Sequence, residues 1–554
     1  MRKILLIGIN ARYVHSNLAI LYLKKAVSDL PYNAVIAEFS INEKPEKVIR
    51  YIKDEQPDII ALSVYIWNSV IIKLIISEIK KVSPQLKIVC GGPEVSYNAD
   101  EWLKLHPEID YIITGGGESA FRELALSGFN LNERILSRIN SPFCDIVFPY
   151  DDEEMKRLAG KFIYYESSRG CPFRCSYCLS SRSDQKLDFR KLDQVKEELD
   201  FFKVYTPKLV KFVDRTFNSR KEHYRGIWEY IVNNFSAGST LFHFEIYPDL
   251  LDSDDIAFLS TVPAGLFQLE MGIQSLKSET LAAINRGVRK NGWMENVKAV
   301  AAGGNIHLHV DLIAGLPYES YSDFKDSFDT VHGTGAHHFQ CGFLKVLPGT
   351  EMSERSDEFG LEFSPLPPYQ VKRNRWISYD EMRMLEGMAE LLEVFYNSGR
   401  FRETGKFLSE KNGSSFNFYE KLEVLYRSGT QLNCREWGGA AALLLKFADE
   451  TGITAKSVLS DYLRWDWCSS MKLHHYPAVI SSDYTTDVKR KGYNYILKFS
   501  EKGIISFHGV QFSQDELRRG IFFKAESDEF VNRMNIPGYC LILPDKRNIA
   551  FEIE

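Results

Sequence analysis

At 554 residues the chain is longer than one hydrophobic core can organise, and length alone argues for about three or four domains. Its 44% hydrophobic and 26% charged residues are ordinary for a globular protein, and a net charge of −6 gives no reason to expect nucleic acid as a partner. Nine cysteines in such a length do not make a disulfide framework, so a cytoplasmic setting with reduced thiols is expected.

The first ten residues are apolar, but Asn10 and Arg12 end the run too early for a signal peptide, and a buried first strand is the better reading. Strands are predicted at residues 3–9, 34–39, 58–65, 87–91 and 110–114, with helical stretches such as 68–82 between them. This alternation predicts an α/β, flavodoxin-like, doubly wound parallel sheet over residues 1–140. The most apolar stretch, 59–76, contains Asn68 and Lys73 and reads as strand, turn and helix, so no membrane partner is expected. Ligands of such sheets bind beyond the carboxyl ends of the strands. The loops there are 10–17, 63–68, Gly91-Gly92-Pro93-Glu94 and Gly115-Gly116-Gly117-Glu118. Tight turns would explain any one glycine pair; the convergence of all these loops on one edge favours a ligand.

A second alternating series follows, with strands at 162–166, 209–213, 241–247, 266–273, 306–312 and 338–346, and helices such as 191–202, 220–234 and 321–332. Six β/α units predict a partial TIM barrel over residues 155–364, with its chemistry on the loops after the strands. Within the strands, His243 and Glu245 share a face, as do Gln268, Glu270 and Gln274, and as do His307, His309 and Asp311. The alternation fits these polar rows facing inward around a polar ligand, and equally fits them facing outward to the helices.

Immediately after the first barrel strand comes Cys171-Pro-Phe-Arg-Cys175-Ser-Tyr177-Cys178. Three thiolates are one too few for a closed structural zinc site or a fully ligated cubane, and a fourth zinc ligand would have to come from His223, His243 or a distant cysteine. A [4Fe–4S] cluster held by three cysteines would keep one iron open. Residues 365–554 read as a mixed α+β domain: residues 379–396 have a helical period, 493–507 and 538–554 look like strands, and the aromatic run 462–467 reads as core packing.

The Cys-x-x-x-Cys-x-Tyr-Cys run resembles the radical S-adenosylmethionine (SAM) signature. Phe244-Glu245-Ile246-Tyr247-Pro248-Asp249, Glu270-Met271-Gly272-Ile273-Gln274-Ser275 with Asn285-Arg286, and Asp311 to Pro317 resemble barrel segments in relatives of coproporphyrinogen dehydrogenase. Tyr65-Ile66-Trp67-Asn68 and Gly91-Gly92-Pro93-Glu94 resemble the cobalamin-binding domain found ahead of such barrels. This resemblance implies that Cys171, Cys175 and Cys178 hold a [4Fe–4S] cluster and that SAM binds its open iron. Tyr177, Asp214, Glu245, Gln274, Arg286 and Asp311 would then contact SAM, which turns Glu245, Gln274 and Asp311 inward. Ser63, Tyr65, Gly91, Gly92, Pro93, Gly116 and Glu118 would contact cobalamin. The Asp-x-His-x-x-Gly cobalt-ligand motif is absent after the first strand, where Asn10, Arg12 and His15 stand instead.

The implied activity is reductive SAM cleavage serving methyl transfer to an unactivated carbon of a small-molecule or peptide substrate, with flavodoxin or ferredoxin as electron donor. Radical rearrangement or ring modification would use the same parts, and a non-catalytic cobalamin sensor would need neither the cysteine trio nor the acidic positions. A methylthiotransferase needs a second cysteine trio, and only Cys90 and Cys144 precede the barrel.

Overall fold

Uninterrupted apolar runs form the centre of the first sheet. In β1 (Arg2–Asn10) every residue from Ile4 to Asn10 is buried, as is the whole of β3 (Ile59–Ser63). Strands covered on both faces belong in the interior of a parallel sheet. With β2 (Tyr32–Ser40), β4 (Lys87–Gly91), β5 (Tyr111–Thr114) and β6 (Ile135–Ser137) they pair in parallel in the order β2-β1-β3-β4-β5-β6. The sixth strand is absent from the sequence reading because its three residues are too few to show a period. Strand order reverses direction between β1 and β3, which makes the loops following them the walls of the ligand crevice expected of this topology.

The computed structural model describes residues 1–553 apart from 140, 182–185, 288–291, 430–431, 471–475, 482, 502, 537 and 545–546. Two compact units divide the chain: residues 1–324, 334–336 and 341–379 form one, and residues 325–333, 337–340 and 380–554 the other. Among the described residues no helix is long and apolar enough to cross a membrane.

A second parallel sheet forms the partial barrel. Its strands, Ile163–Tyr165, Leu209–Phe212, Leu241–Ile246, Phe267–Gln274, His307–Ala314 and His338–Phe343, lie side by side in chain order. Leu269, Met271, Ile273, Leu308, Val310 and Leu312 are completely buried, while the residues alternating with them are half-exposed. The apolar face is the helix face: Phe244 and Phe267 pack against Trp228 of helix Lys221–Asn234, with ring centroids 6.2 Å apart in each pair. The polar rows therefore face away from the helices, and the even choice left by periodicity resolves inward.

The second unit is helical and then strand-rich. Helices Arg402–Lys411, Ser415–Arg427, Trp437–Thr451 and Lys456–Ser470 pack through stacked Phe407 and Tyr462, centroids 4.3 Å apart, and through Trp437 against Trp467. The aromatic run is core, as expected. Residues 493–497, expected as strand, instead end helix Asp483–Leu497, where Val488 and Ile496 are buried at helical spacing. Two three-stranded antiparallel sheets follow.

Gly92 shows why the crevice loops are glycine-rich. Its φ of +114° disfavours a side chain, and an added Cβ would stand 2.5 Å from the Val64 carbonyl oxygen. Gly92→Ala should therefore cost about 1–3 kcal/mol. Gly91→Ala, whose Cβ would have its nearest neighbour at 3.5 Å, should be much closer to neutral. Urea denaturation of the two variants checks the contrast.

Candidate functional site

The loop carrying the three cysteines is fixed from beneath by Asp214, at the end of the second barrel strand. Asp214 is 1% exposed and accepts hydrogen bonds from Ser167 N (3.0 Å), Ser167 Oγ (2.7 Å) and Ser168 Oγ (2.6 Å). His223 Nε2 lies 3.1 Å from the same Ser167 hydroxyl. The Asp214 oxygens thus accept from the loop backbone and hydroxyls, so Asp214 anchors the cysteine loop. Burial pushes its carboxyl up to about 6, against the opposing pull of the serine hydrogen bonds.

Above this support, Gly170 takes φ +84°, with Lys186 backbone so close that a Cβ would sit 2.7 Å from its carbonyl oxygen. Cys171 Sγ lies 3.4 Å from Thr216 Oγ1, Cys178 N donates to Cys175 O (3.0 Å), and Ser176 N donates to Ile284 O (3.0 Å). None of the three is in a disulfide; Cys175 is buried and the other two are half-buried. Cys175 feels the charges of both Cys171 and Cys178, so the three sulfurs share one neighbourhood. Arg286 donates from Nη1 to Cys175 Sγ (3.7 Å) and to Tyr177 OH (3.4 Å), and from Nη2 to Gly272 O (2.5 Å). Its guanidinium lies 4.8 Å from the centre of the Tyr247 ring, which stacks on Phe173 at 4.2 Å. Burial pushes the Cys175 thiol up, while the Arg286 charge works against that rise. Three convergent thiols beside a buried cation suit a cluster that carries negative charge and leaves one iron to another ligand. Among the described residues no set of three His, Cys, Asp or Glu side chains is placed around a single metal ion.

Tyr177 and Arg286 therefore stand together at Cys175. Gln274, in the left-handed region at φ +69° after a register shift, has a buried Oε1 with no hydrogen-bond partner among the described residues. Glu245 and Asp311 lie on the polar face, where the sequence-derived list omitted several neighbours. Lys211 Nζ is 4.0 Å from Glu245 and 3.5 Å from Glu270, His243 Nε2 is 3.1 Å from Glu270, and Gln268 Nε2 is 2.9 Å from His309 Nε2. Burial raises Glu270, but the His243 contact and the Lys211 ammonium outweigh it and hold the carboxyl low. Burial raises Asp311, and the Glu270 and Glu245 charges add to it. Strand alternation had already marked His243 and Glu270; Lys211, between Val210 and Phe212, shows the same signal.

At the crevice edge, Asn68 ties the loop after β3 together. Its Oδ1 accepts from Tyr65 N (2.8 Å), and its Nδ2 donates to Ile9 O (2.9 Å) and Ser63 O (3.0 Å). Ser63 Oγ accepts from Asn17 Nδ2 (3.2 Å), and Tyr65 stacks flat on the exposed Trp67 with centroids 4.4 Å apart. Gly91 and Gly92 are half-buried, Pro93 opens the short helix Pro93–Ser96, and Gly116 is exposed. His15 does not project freely, because its Nδ1 is 2.5 Å from Tyr164 OH. Glu118 is also engaged: Arg169 Nη2 bridges it (2.6 Å) to Glu166 (2.9 Å). Arg169 precedes Cys171 by two residues, so one guanidinium links the crevice edge to the cysteine loop. The glycine-lined edge, with a flat aromatic pair beside it, fits a large planar corrinoid.

Family models match three successive segments: a B12 binding domain at residues 4–125, the radical SAM superfamily at 165–331, and a protein family of unknown function, DUF4080, at 357–524. The class defined by fold and site is thus a radical SAM protein with an N-terminal cobalamin-binding domain. The region after the barrel matches the DUF4080 model, so the chain carries these three domains in succession. Its cofactors are the cobalamin, iron–sulfur cluster and SAM of those domains.

The chain is 24% identical over 432 residues to 2-(S-pantetheinyl)-carbapenam-3-carboxylate methyltransferase of Streptantibioticus cattleyicolor, covering 67% of this chain and 61% of that one. It is 25% identical over 359 residues to the cobalamin-dependent radical SAM methyltransferase TokK of Streptomyces tokunonensis, covering 57% and 51%. The chain thus spans about three-fifths and half the length of these two curated relatives. In fold it is similar to the cobalamin-dependent SAM radical enzyme OxsB with aqua-cobalamin bound, with a TM-score of 0.58 at 14% identity over 84% of this chain and 79% of the other.

Two outcomes follow from this geometry. The folded pKa of Asp214 lies above that of an unfolded aspartate, so the folded state holds the proton more tightly. Its contribution to stability is fully present below about pH 4 and is lost as pH rises through about 6. Asp214→Asn should remove that fall from denaturation curves recorded between these pH values, and a fall of unchanged size would contradict the assignment. For the Arg169–Glu118 pair, a double-mutant cycle to alanine should give a coupling of about 1–2 kcal/mol in the same assay.

Proposed function

We propose that the chain is a cobalamin-dependent radical SAM methyltransferase that acts on an unactivated carbon of a small-molecule or peptide substrate, with flavodoxin or ferredoxin as its electron donor. The single observation that carries this reading is the juxtaposition of two sites in one unit: a loop of three cysteines outside any disulfide, beside a buried arginine, tied through Arg169 to the glycine-lined edge of the cobalamin-binding domain. Two curated relatives, matching 67% and 57% of this chain, are named as methyltransferases, which supports the reaction class.

When bound, the cluster and SAM supply a 5′-deoxyadenosyl radical able to remove hydrogen from carbon, and the corrinoid supplies the methyl group. Cys171, Cys175 and Cys178 would hold three irons and leave the fourth open. Tyr177 and Gln274 would contact SAM, with Gln274 offering an Oε1 that no protein group uses. Glu245 and Asp311, facing inward with Glu270 and Lys211, would orient polar groups in the barrel. Ser63, Tyr65, Gly91, Gly92, Pro93 and Gly116 would border the corrinoid, while Glu118 acts through its bridge to Arg169. Residues 1–140, 155–364 and 365–554 would be the corresponding domains.

Anaerobic iron–sulfur reconstitution with hydroxocobalamin, followed by optical spectra and an assay for 5′-deoxyadenosine, tests the reading. Cleavage of SAM with stoichiometric corrinoid uptake is expected. Cys175→Ala should abolish cleavage while leaving corrinoid uptake intact. Cleavage without any corrinoid binding would remove methyl transfer and keep radical chemistry.

A further inference from the structure

Arg286 is more than nine-tenths buried, yet among the described residues it forms no salt bridge with a carboxylate. A buried guanidinium with no carboxylate in contact is costly, even though its charge reaches Asp311. The group placed to receive its charge is the sulfur of Cys175, 3.7 Å from Nη1. Other contacts hold the guanidinium there. Nη2 is fixed to Gly272 O, the plane rests against Tyr247, and Tyr247 OH donates back to Arg286 O at 2.8 Å. Gly272 makes room for Gln274 first and for the guanidinium second, since a Cβ there would meet Gln274 Nε2 and stand 3.3 Å from Arg286 Nη2. Such a fixed fork differs from an arginine that swings to meet an incoming carboxylate.

We propose that Arg286 is a positioning residue whose hydrogen bond to Cys175 Sγ raises the reduction potential of the cluster held by Cys171, Cys175 and Cys178. The inference rests on the cluster reading given under Proposed function. Reduction adds one electron to a cluster already made negative by three thiolates. A hydrogen bond from a cation withdraws density from the ligating sulfur and stabilises the more negative state; hydrogen bonds to sulfur and net charge are among the factors that set such potentials. Arg286 would thereby ease entry of the electron that SAM cleavage consumes, without touching the substrate. The role is additional to the SAM contact that the resemblance implies for Arg286, and a titration without SAM separates the two.

The test is an anaerobic spectroelectrochemical titration, without SAM, of reconstituted wild type, Arg286→Gln and Arg286→Lys, with iron and sulfide counted in each. Arg286→Gln should lower the reduced-to-oxidised ratio at a fixed potential about tenfold, equivalent to ~59 mV for a one-electron couple. Arg286→Lys keeps the charge but cannot serve Gly272 O and Cys175 Sγ together, so it should fall between the two. Fully loaded variants with the wild-type potential would overturn the inference and leave the cluster reading standing. Wild type that takes up no iron would sink that reading itself. If Arg286→Gln fails to load, pulsed EPR of the reduced protein labelled with 15N-arginine decides. A 15N coupling present in wild type and lost in Arg286→Lys supports the hydrogen bond, and no coupling in wild type overturns it.

Discussion

A carboxylate sealed away from water, with no ion pair among the described residues, is the constraint from which the site is built. Burying such a group is costly unless its lone pairs are taken up by donors. The donors at Asp214 are the backbone and hydroxyl of Ser167 and the hydroxyl of Ser168, all on the stretch that leads into Cys171. Satisfying the aspartate therefore fixes where the cysteine loop leaves the first barrel strand. Thr216, two residues beyond Asp214, then comes beside Cys171 Sγ. One buried charge converts the end of two neighbouring strands into a defined position for a ligand loop.

The barrel follows the same logic of matched burial. Its apolar residues are spent on the helix face, where aromatic rings around Trp228 close against Phe244 and Phe267. What remains on the other face is a set of acids, bases and amides that offset one another across strands, with Lys211 between Glu245 and Glu270, and His243 against Glu270. An interior so polar is poorly suited to self-packing and well suited to holding a polar molecule. The first sheet contributes its crevice edge to the same unit, and Arg169 joins that edge to the cysteine loop through two carboxylates.

Much of this was legible in the sequence for definite reasons. The cysteine spacing is local and chemically restrictive, so three candidate ligands could be read directly. Period-two alternation marked the polar face of the barrel, although the side on which it lay needed the packing of Phe244 and Phe267 to decide. Long-range pairings were invisible: Arg169 meets Glu118 across 51 residues, and Asp214 reaches Ser167 across 47. Nothing local to Asp214 or Glu118 signals these protein partners. Aromatic and β-branched residues near 493–497 suggested a strand, but their burial at helical spacing against the terminal sheets places them in a helix.

The central claim is that three cysteines hold a cluster with one iron open to SAM. Electron–nuclear double resonance on the reduced protein, with SAM labelled with 17O and 13C at its carboxylate, tests it most directly. Hyperfine coupling from both labels, with no fourth protein ligand detected, is the predicted result. A reduced cluster that shows neither coupling, or an iron bound by a fourth side chain, would contradict the account.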